Sequence, residues 1–155
     1  MSGPPTISVA QLKASVGKEA GVSSWTAITQ EMIDRFADLS GDHQFIHVDP
    51  VLAAQSPLGT TVAHGFLTLS LLSVMAIEVR PKIAGTRFGL NYGFDKVRFL
   101  NPVPVNSRVR GRFTFAALAE RGEKSLLLTH LASVEIEGAA KPALVADWLT
   151  MVVLE

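Results

Sequence analysis

Cysteine is absent from the 155 residues, which excludes disulfides, thiolate metal sites and a cysteine nucleophile. Net charge is absent too. Fourteen Lys plus Arg balance fourteen Asp plus Glu, so no long-range field argues for nucleic acid or an anionic membrane as partner. The longest apolar run, Phe66 to Val79, is broken by Thr68, Ser70, Ser73 and Glu78 and falls short of the ~20 residues a bilayer span needs. Met1 to Thr6 lacks the basic and apolar regions of a secretory signal, so the expectation is a soluble, cytoplasmic protein. No phosphate-binding glycine loop and no Gly-x-Ser-x-Gly nucleophile turn occurs. What is present is 48% hydrophobic and 18% charged residues, a globular composition at the length of one domain, read as a single unit over 1–155.

The order of patterns predicts helices early and strands late. Residues 1–25 read as a mobile start followed by a docking segment punctuated by Gly17 and Gly21. Thr29 is placed to cap a helix whose first turn carries Glu31. Met32, Ile33, Phe36 and Ala37 give it one buried stripe, and Gly41 ends it. Asp42 to His47 is then a loop, and Asp49-Pro50 starts a short helix as N-cap and first residue. Gly65 to Val79 is apolar all round, which predicts a helix buried on nearly every side. Phe88–Tyr92 and Lys96–Phe99 are short strand candidates. Arg108 to Ala116 alternates, with Val109, Gly111, Phe113 and Phe115 on one face, and two long strands follow at 126–137 and 144–154. The fold class implied is α+β: an antiparallel sheet curling around one long helix.

Chemistry concentrates between the first two helical patterns. Asp42 and His47 form an acid and an imidazole that can share one water, one removing a proton and the other returning one. A histidine titrates near neutrality, whereas an aspartate gains basicity if burial against the apolar helix raises its pKa. Gly65 opens the long helix, where backbone N–H groups are free and no side chain bars a substrate. His64 is expected to orient the helix start, His43 to face solvent, and His130 to lie in the core or an interface. His43 and His47 have no convincing metal spacing, so no metal site is expected. Lys96 and Arg98, with Arg87, suit phosphate groups or an ordinary solvated sheet face.

Taken together, Phe36-Ala37-x-Leu39-Ser40-Gly41-Asp42-x-Gln44-x-Ile46-His47-x-Asp49, Ala63-His64-Gly65-Phe66-Leu67-Thr68 and Asn91-Tyr92-Gly93 with Lys96 to Val103 resemble the MaoC-like hydratase/dehydratase family of the hotdog fold, most closely its nodulation-protein-N-like branch. The resemblance implies (R)-specific hydration of trans-2-enoyl thioesters, or the reverse dehydration. It implies Asp42 as base, His47 as the second catalytic group and the Gly65 N–H as oxyanion donor. Gln44, Ser73, Phe66, Lys96 and Arg98 are the expected substrate contacts, and Phe66, Leu67 and Leu71 the wall of an acyl channel. No cofactor is implied; coenzyme A or the phosphopantetheine of an acyl carrier protein is part of the substrate, and the protein is expected to be a homodimer. The family pattern has Asn-Pro where Gln44-Phe45 stands. That departure keeps a non-catalytic acyl-thioester-binding subunit as an alternative, beside a hotdog thioesterase.

Overall fold

The computed structural model describes residues 3–155; the mobile start expected at Met1 and Ser2 falls outside them. The N-terminal segment docks as expected. Strand β1 (Thr6–Ile7) pairs in parallel with β4 (Lys82–Ile83), and helix α1 (Val9–Lys13) follows a capping box built by Ser8 and Gln11. Strands β2 (Glu19–Val22) and β3 (Thr26–Ala27) both pair with β6 (Arg108–Glu120). Gly21 sits where a Cβ would lie 2.9 Å from the Cβ of Val79, so only glycine lets this strand pass the end of the central helix.

Local signals set the next elements. Helix α2 (Gln30–Ser40) starts at Thr29, whose hydroxyl accepts a hydrogen bond from the Met32 N–H at 3.2 Å. It buries Ile33 and Ala37, and stops at Gly41 in the left-handed conformation, φ 80°. The stretch after it is not all loop: Phe45–Val48 forms one helical turn, α3, that carries His47. Asp49 then caps α4 (Pro50–Gln55) by accepting from the N–H groups of Val51 and Leu52, both at 3.0 Å.

The central helix comes in two consecutive pieces, α5 (Gly65–Ser70) and α6 (Leu72–Val79), joined through Leu71, which keeps helical angles of −67° and −18°. Leu67, Leu72, Met75 and Ala76 enter the main core with Val109, Phe113, Val134 and Trp148. Contact is close at Gly111, where a Cβ would stand 3.0 Å from the Met75 Cβ. Contrary to the expectation of burial all round, Phe66, Val74 and Ile77 lie 57–75% exposed on the outer side.

The sheet is antiparallel in the order β2-β6-β7-β8-β5, with β7 spanning Ser125–Ile136 and β8 Leu144–Leu154. The alternation expected in β6 is observed. Val109, Gly111, Phe113 and Phe115 are buried, while Arg110 and Arg112 on the outer face share Glu135 at 2.7 Å. The two short strands expected before it are one, β5 (Thr86–Phe99), with irregularities between Asn91 and Gly93 and between Phe94 and Lys96 that interrupt its alternation. Among the described residues, no helix is long and apolar enough to cross a membrane.

Candidate active site

Asp42, His47 and the start of α5 converge at one end of the central helix. His47 rides on α3 and is 7% exposed. Its Nδ1 lies 2.7 Å from the Val62 carbonyl oxygen; a carbonyl only accepts, so Nδ1 carries the proton and Nε2 is left for chemistry. The same logic fixes His64, whose Nε2–H donates to the backbone carbonyl of Asp42 at 2.9 Å. The two imidazoles stack with centroids 3.8 Å apart and planes 23° from parallel. His64 therefore holds both expected catalytic groups: one through its backbone, the other through its ring face. That role follows from contacts across 22 residues, which sequence spacing does not reveal beyond its place at the helix start.

Asp42 is exposed rather than buried against the apolar helix, so the burial expected to raise its basicity is not found. Its Oδ1 accepts from the Gln44 N–H at 3.3 Å, a loop contact that leaves the second oxygen without a donor among the described residues. The loop is tied down from below by Gln30. Its amide nitrogen donates to the His47 carbonyl at 2.7 Å, and its amide oxygen accepts from the buried Thr61 hydroxyl at 2.6 Å. Neither Gln30 nor Thr61 stood out in the sequence, because their partners are 17 and 31 residues away.

A cleft of about 330 Å³ opens beside His47 and Gly65, with Ile46, Leu58, Phe99 and Val103 among its apolar walls and Thr68 and Asn101 among its polar ones. The N–H of Gly65, in the first turn of α5, has no preceding turn of helix to bond to. A Cβ at this position would stand 3.0 Å from the Phe99 ring, so glycine is needed for packing as well as for access. Asp42, His47 and His64 each offer a ligand atom within 4.8 Å of the others. A metal ion sits in the plane of each imidazole that binds it, about 2 Å from the nitrogen. Planes as nearly parallel as these do not meet at that distance, so the stacked pair suits proton transfer better than shared coordination.

The other expected contacts fare unevenly. Gln44 is exposed at the start of α3 and its side chain caps nothing. Phe66 is 70% exposed and packs edge-on against Phe99, with centroids 6.0 Å apart, outside the cleft wall. Ser73 is eight residues beyond Gly65, about 12 Å along a helix, and does not line the cleft. Leu67 is buried in the core and Leu71 packs against it, and neither lines the cleft, whose apolar wall includes Ile46, Leu58 and Phe99. Lys96 and Arg98 alternate with Val97, which packs on the core, and Phe99, which faces the cleft, and so project from the opposite side of β5. They are exposed, as is Arg87. His43 is also exposed, with Asp38 at 2.9 Å holding its imidazole above the ordinary histidine range.

The profile of the family described as MaoC like domain matches residues 11–134. The chain belongs to that family. Within it, the chain is 50% identical over 147 residues to Nodulation protein N of Rhizobium leguminosarum bv. viciae, covering 94% of this chain and 91% of that protein. It is 48% identical over 140 residues to 3-hydroxyacyl-thioester dehydratase Z of Mycobacterium tuberculosis, covering 90% and 92%. The solved structure of the (R)-hydratase from A. caviae, described as involved in PHA biosynthesis, superposes with a TM-score of 0.67 at 25% identity, covering 90% of this chain and 96% of the other. The MaoC-like chain is thus a hotdog protein of the nodulation-protein-N-like branch, in a family of hydratases and dehydratases.

Proposed function

We propose that this MaoC-like chain adds water to trans-2-enoyl thioesters, giving (3R)-3-hydroxyacyl thioesters, or runs the reverse dehydration. The observation that carries the reading is that His47 and Gly65 line one cleft while Asp42 offers a carboxylate oxygen within 4.8 Å of a His47 ring nitrogen, with His47 oriented so that Nε2 is its working nitrogen.

In the hydration direction, Asp42 takes a proton from water as the water oxygen bonds to the β-carbon. The C=C electron pair moves toward the thioester carbonyl, whose oxygen gains negative charge and is received by the Gly65 N–H. His47, protonated at Nε2, delivers a proton to the α-carbon, and proton exchange between the two side chains restores the starting state. Positioned proton transfer contributes about 10²–10⁴-fold in rate, and an aimed N–H roughly 3–4 kcal/mol. The thioester itself acidifies the α-carbon, so no cofactor is required. Coenzyme A or a phosphopantetheine arm enters as part of the substrate, and its phosphates reach Lys96 and Arg98 around the edge strand β5, from whose other side those two residues project. Gln44 is the amide nearest in sequence to Asp42 and orients the water.

A homodimer is part of the proposal. β5 is a 14-residue edge strand with Phe88, Leu90, Tyr92 and Phe94 exposed, and a second copy pairing along it would cover a row of backbone groups that otherwise invites non-specific association. The product's stereochemistry tests the reaction. Crotonyl-CoA incubated with the protein is expected to give (3R)-3-hydroxybutyryl-CoA, resolved on a chiral column after hydrolysis. Formation of the (3S) product, or release of free thiol with no hydroxyacyl product, would contradict it.

A further inference from the structure

A second chamber, of about 260 Å³, lies at the far end of the central helix from the catalytic cleft. Val79 at that end is fourteen residues from Gly65, about 21 Å of helix. The N-terminal segment roofs this chamber with Ile7 and Leu12, while Ile83, Phe115 and Leu128 complete its apolar walls.

Into this apolar setting the fold brings Arg80 and His130, with Trp148 packed beside them in the main core. Arg80 follows α6 and is largely buried, yet forms no ion pair among the described residues; its one side-chain hydrogen bond runs to the Thr150 hydroxyl at 3.2 Å. Its guanidinium carbon lies 5.4 Å from the centroid of the Trp148 ring. Trp148 and His130 face one another across β7 and β8 with ring centroids 6.4 Å apart, and each is 3% exposed. The Nε1–H of Trp148 and the Nδ1 of His130 are enclosed and have no hydrogen-bonding partner among the described residues. Buried polar groups are as a rule satisfied, and a buried cation without a counter-charge is costly. A positive charge with no counter-charge at the wall of an apolar chamber is the complement of a single anionic head on an aliphatic body.

We propose that the chamber binds a short aliphatic monocarboxylate, its carboxylate taken by the Arg80 guanidinium, which lies against the Trp148 ring, its chain lying against Ile83, Phe115 and Leu128. The site is separate from the catalytic cleft and needs neither Asp42 nor His47. Lys18 also lines the chamber, whereas Glu19, the one carboxylate there, is engaged by Arg112. Phosphate carries no aliphatic chain to cover the apolar walls of Ile83, Phe115 and Leu128.

The chain has two tryptophans, so a ¹⁵N-labelled sample shows two indole N–H resonances, assigned with a Trp25→Phe variant. Hexanoate is expected to move the Trp148 resonance saturably and leave that of Trp25 in place; 1-hexanol and inorganic phosphate are expected to do neither. Arg80→Met should weaken the apparent affinity about tenfold or more and melt no lower than wild type without carboxylate, because it removes an unpaired buried charge. Ile83→Trp, which fills the chamber without touching a donor, should abolish the shift, and Asp42→Asn should leave it intact. The proposal is overturned if hexanoate moves neither indole, if hexanol or phosphate acts equally, if the shift persists in Ile83→Trp, or if Asp42→Asn removes it.

Discussion

At the scale of single residues, what distinguishes the buried histidines His47 and His130 is what they face. His47 has its Nδ1–H satisfied by the Val62 carbonyl and turns Nε2 to the cleft. His130 is walled in by Phe115 and Trp148, and burial, helped by the nearby Arg80 charge, pushes its pKa down to about 3. In the unfolded chain the same imidazole titrates near 6.5. Between those two pH values the unfolded state binds a proton that the folded state refuses, so acidification below pH 6.5 favours unfolding, by at most roughly 1.4 kcal/mol per pH unit. Above pH 6.5 the group contributes nothing to the pH dependence. Urea unfolding at pH 7 and pH 5 should therefore show a smaller loss of stability for His130→Gln than for wild type; equal losses would contradict the assignment. Asp42 and His47 were legible from their spacing after a helix stop. Gln30, Thr61 and the bracing contacts of His64 were not, since each depends on a partner that only the folded chain brings near.

At the scale of elements, the helix ends were the most legible features, because caps are decided by neighbouring residues. Thr29, Gly41 and the Asp49-Pro50 pair all stand where their chemistry places them. Gly41 has a second duty, since the left-handed turn it makes delivers Asp42 to the site. Gly41→Ala is expected to cost about 1 kcal/mol or more, as a side chain there strains a φ of 80°. It is also expected to lower kcat, read from chemical denaturation and turnover on the same sample. Unchanged stability with reduced turnover would separate the two duties, while no effect on either would contradict both. The strands were legible where alternation was clean, as in β6. β5 was split in two on reading because its irregularities near Gly93 and Asp95 interrupt the period of two. The chain continues through both breaks by shifting register against β8, something no local pattern reports.

At the scale of the molecule, a globular composition accounts for a core but not for the apolar surface that remains. Phe66, Val74 and Ile77 on the central helix and Leu90 and Tyr92 on β5 are all more than half exposed. A sequence read as one copy assigned the helix residues to the interior, because an apolar residue carries no mark of whether its own chain or another covers it. The proposed dimer resolves this surface. Sedimentation is expected to give a dimer for wild type and a monomer for Leu90→Glu, since a charge directed at the mate across a paired edge is strongly disfavoured. A wild-type monomer at micromolar concentration would refute the dimer. Placing the catalytic cleft and the carboxylate chamber at opposite ends of one helix also lets the two be tested independently.

The central claim is that Asp42 and His47 together activate water. The most direct test is the loss of enoyl absorbance from crotonyl-CoA, followed for wild type, Asp42→Asn and His47→Ala. Turnover by wild type and a fall in kcat of about 10²-fold or more in each variant, with folding intact, is the predicted result. Wild-type protein that turns over neither crotonyl-CoA, longer enoyl-CoAs nor an enoyl carrier-protein substrate would contradict the account, as would variants that retain wild-type rates.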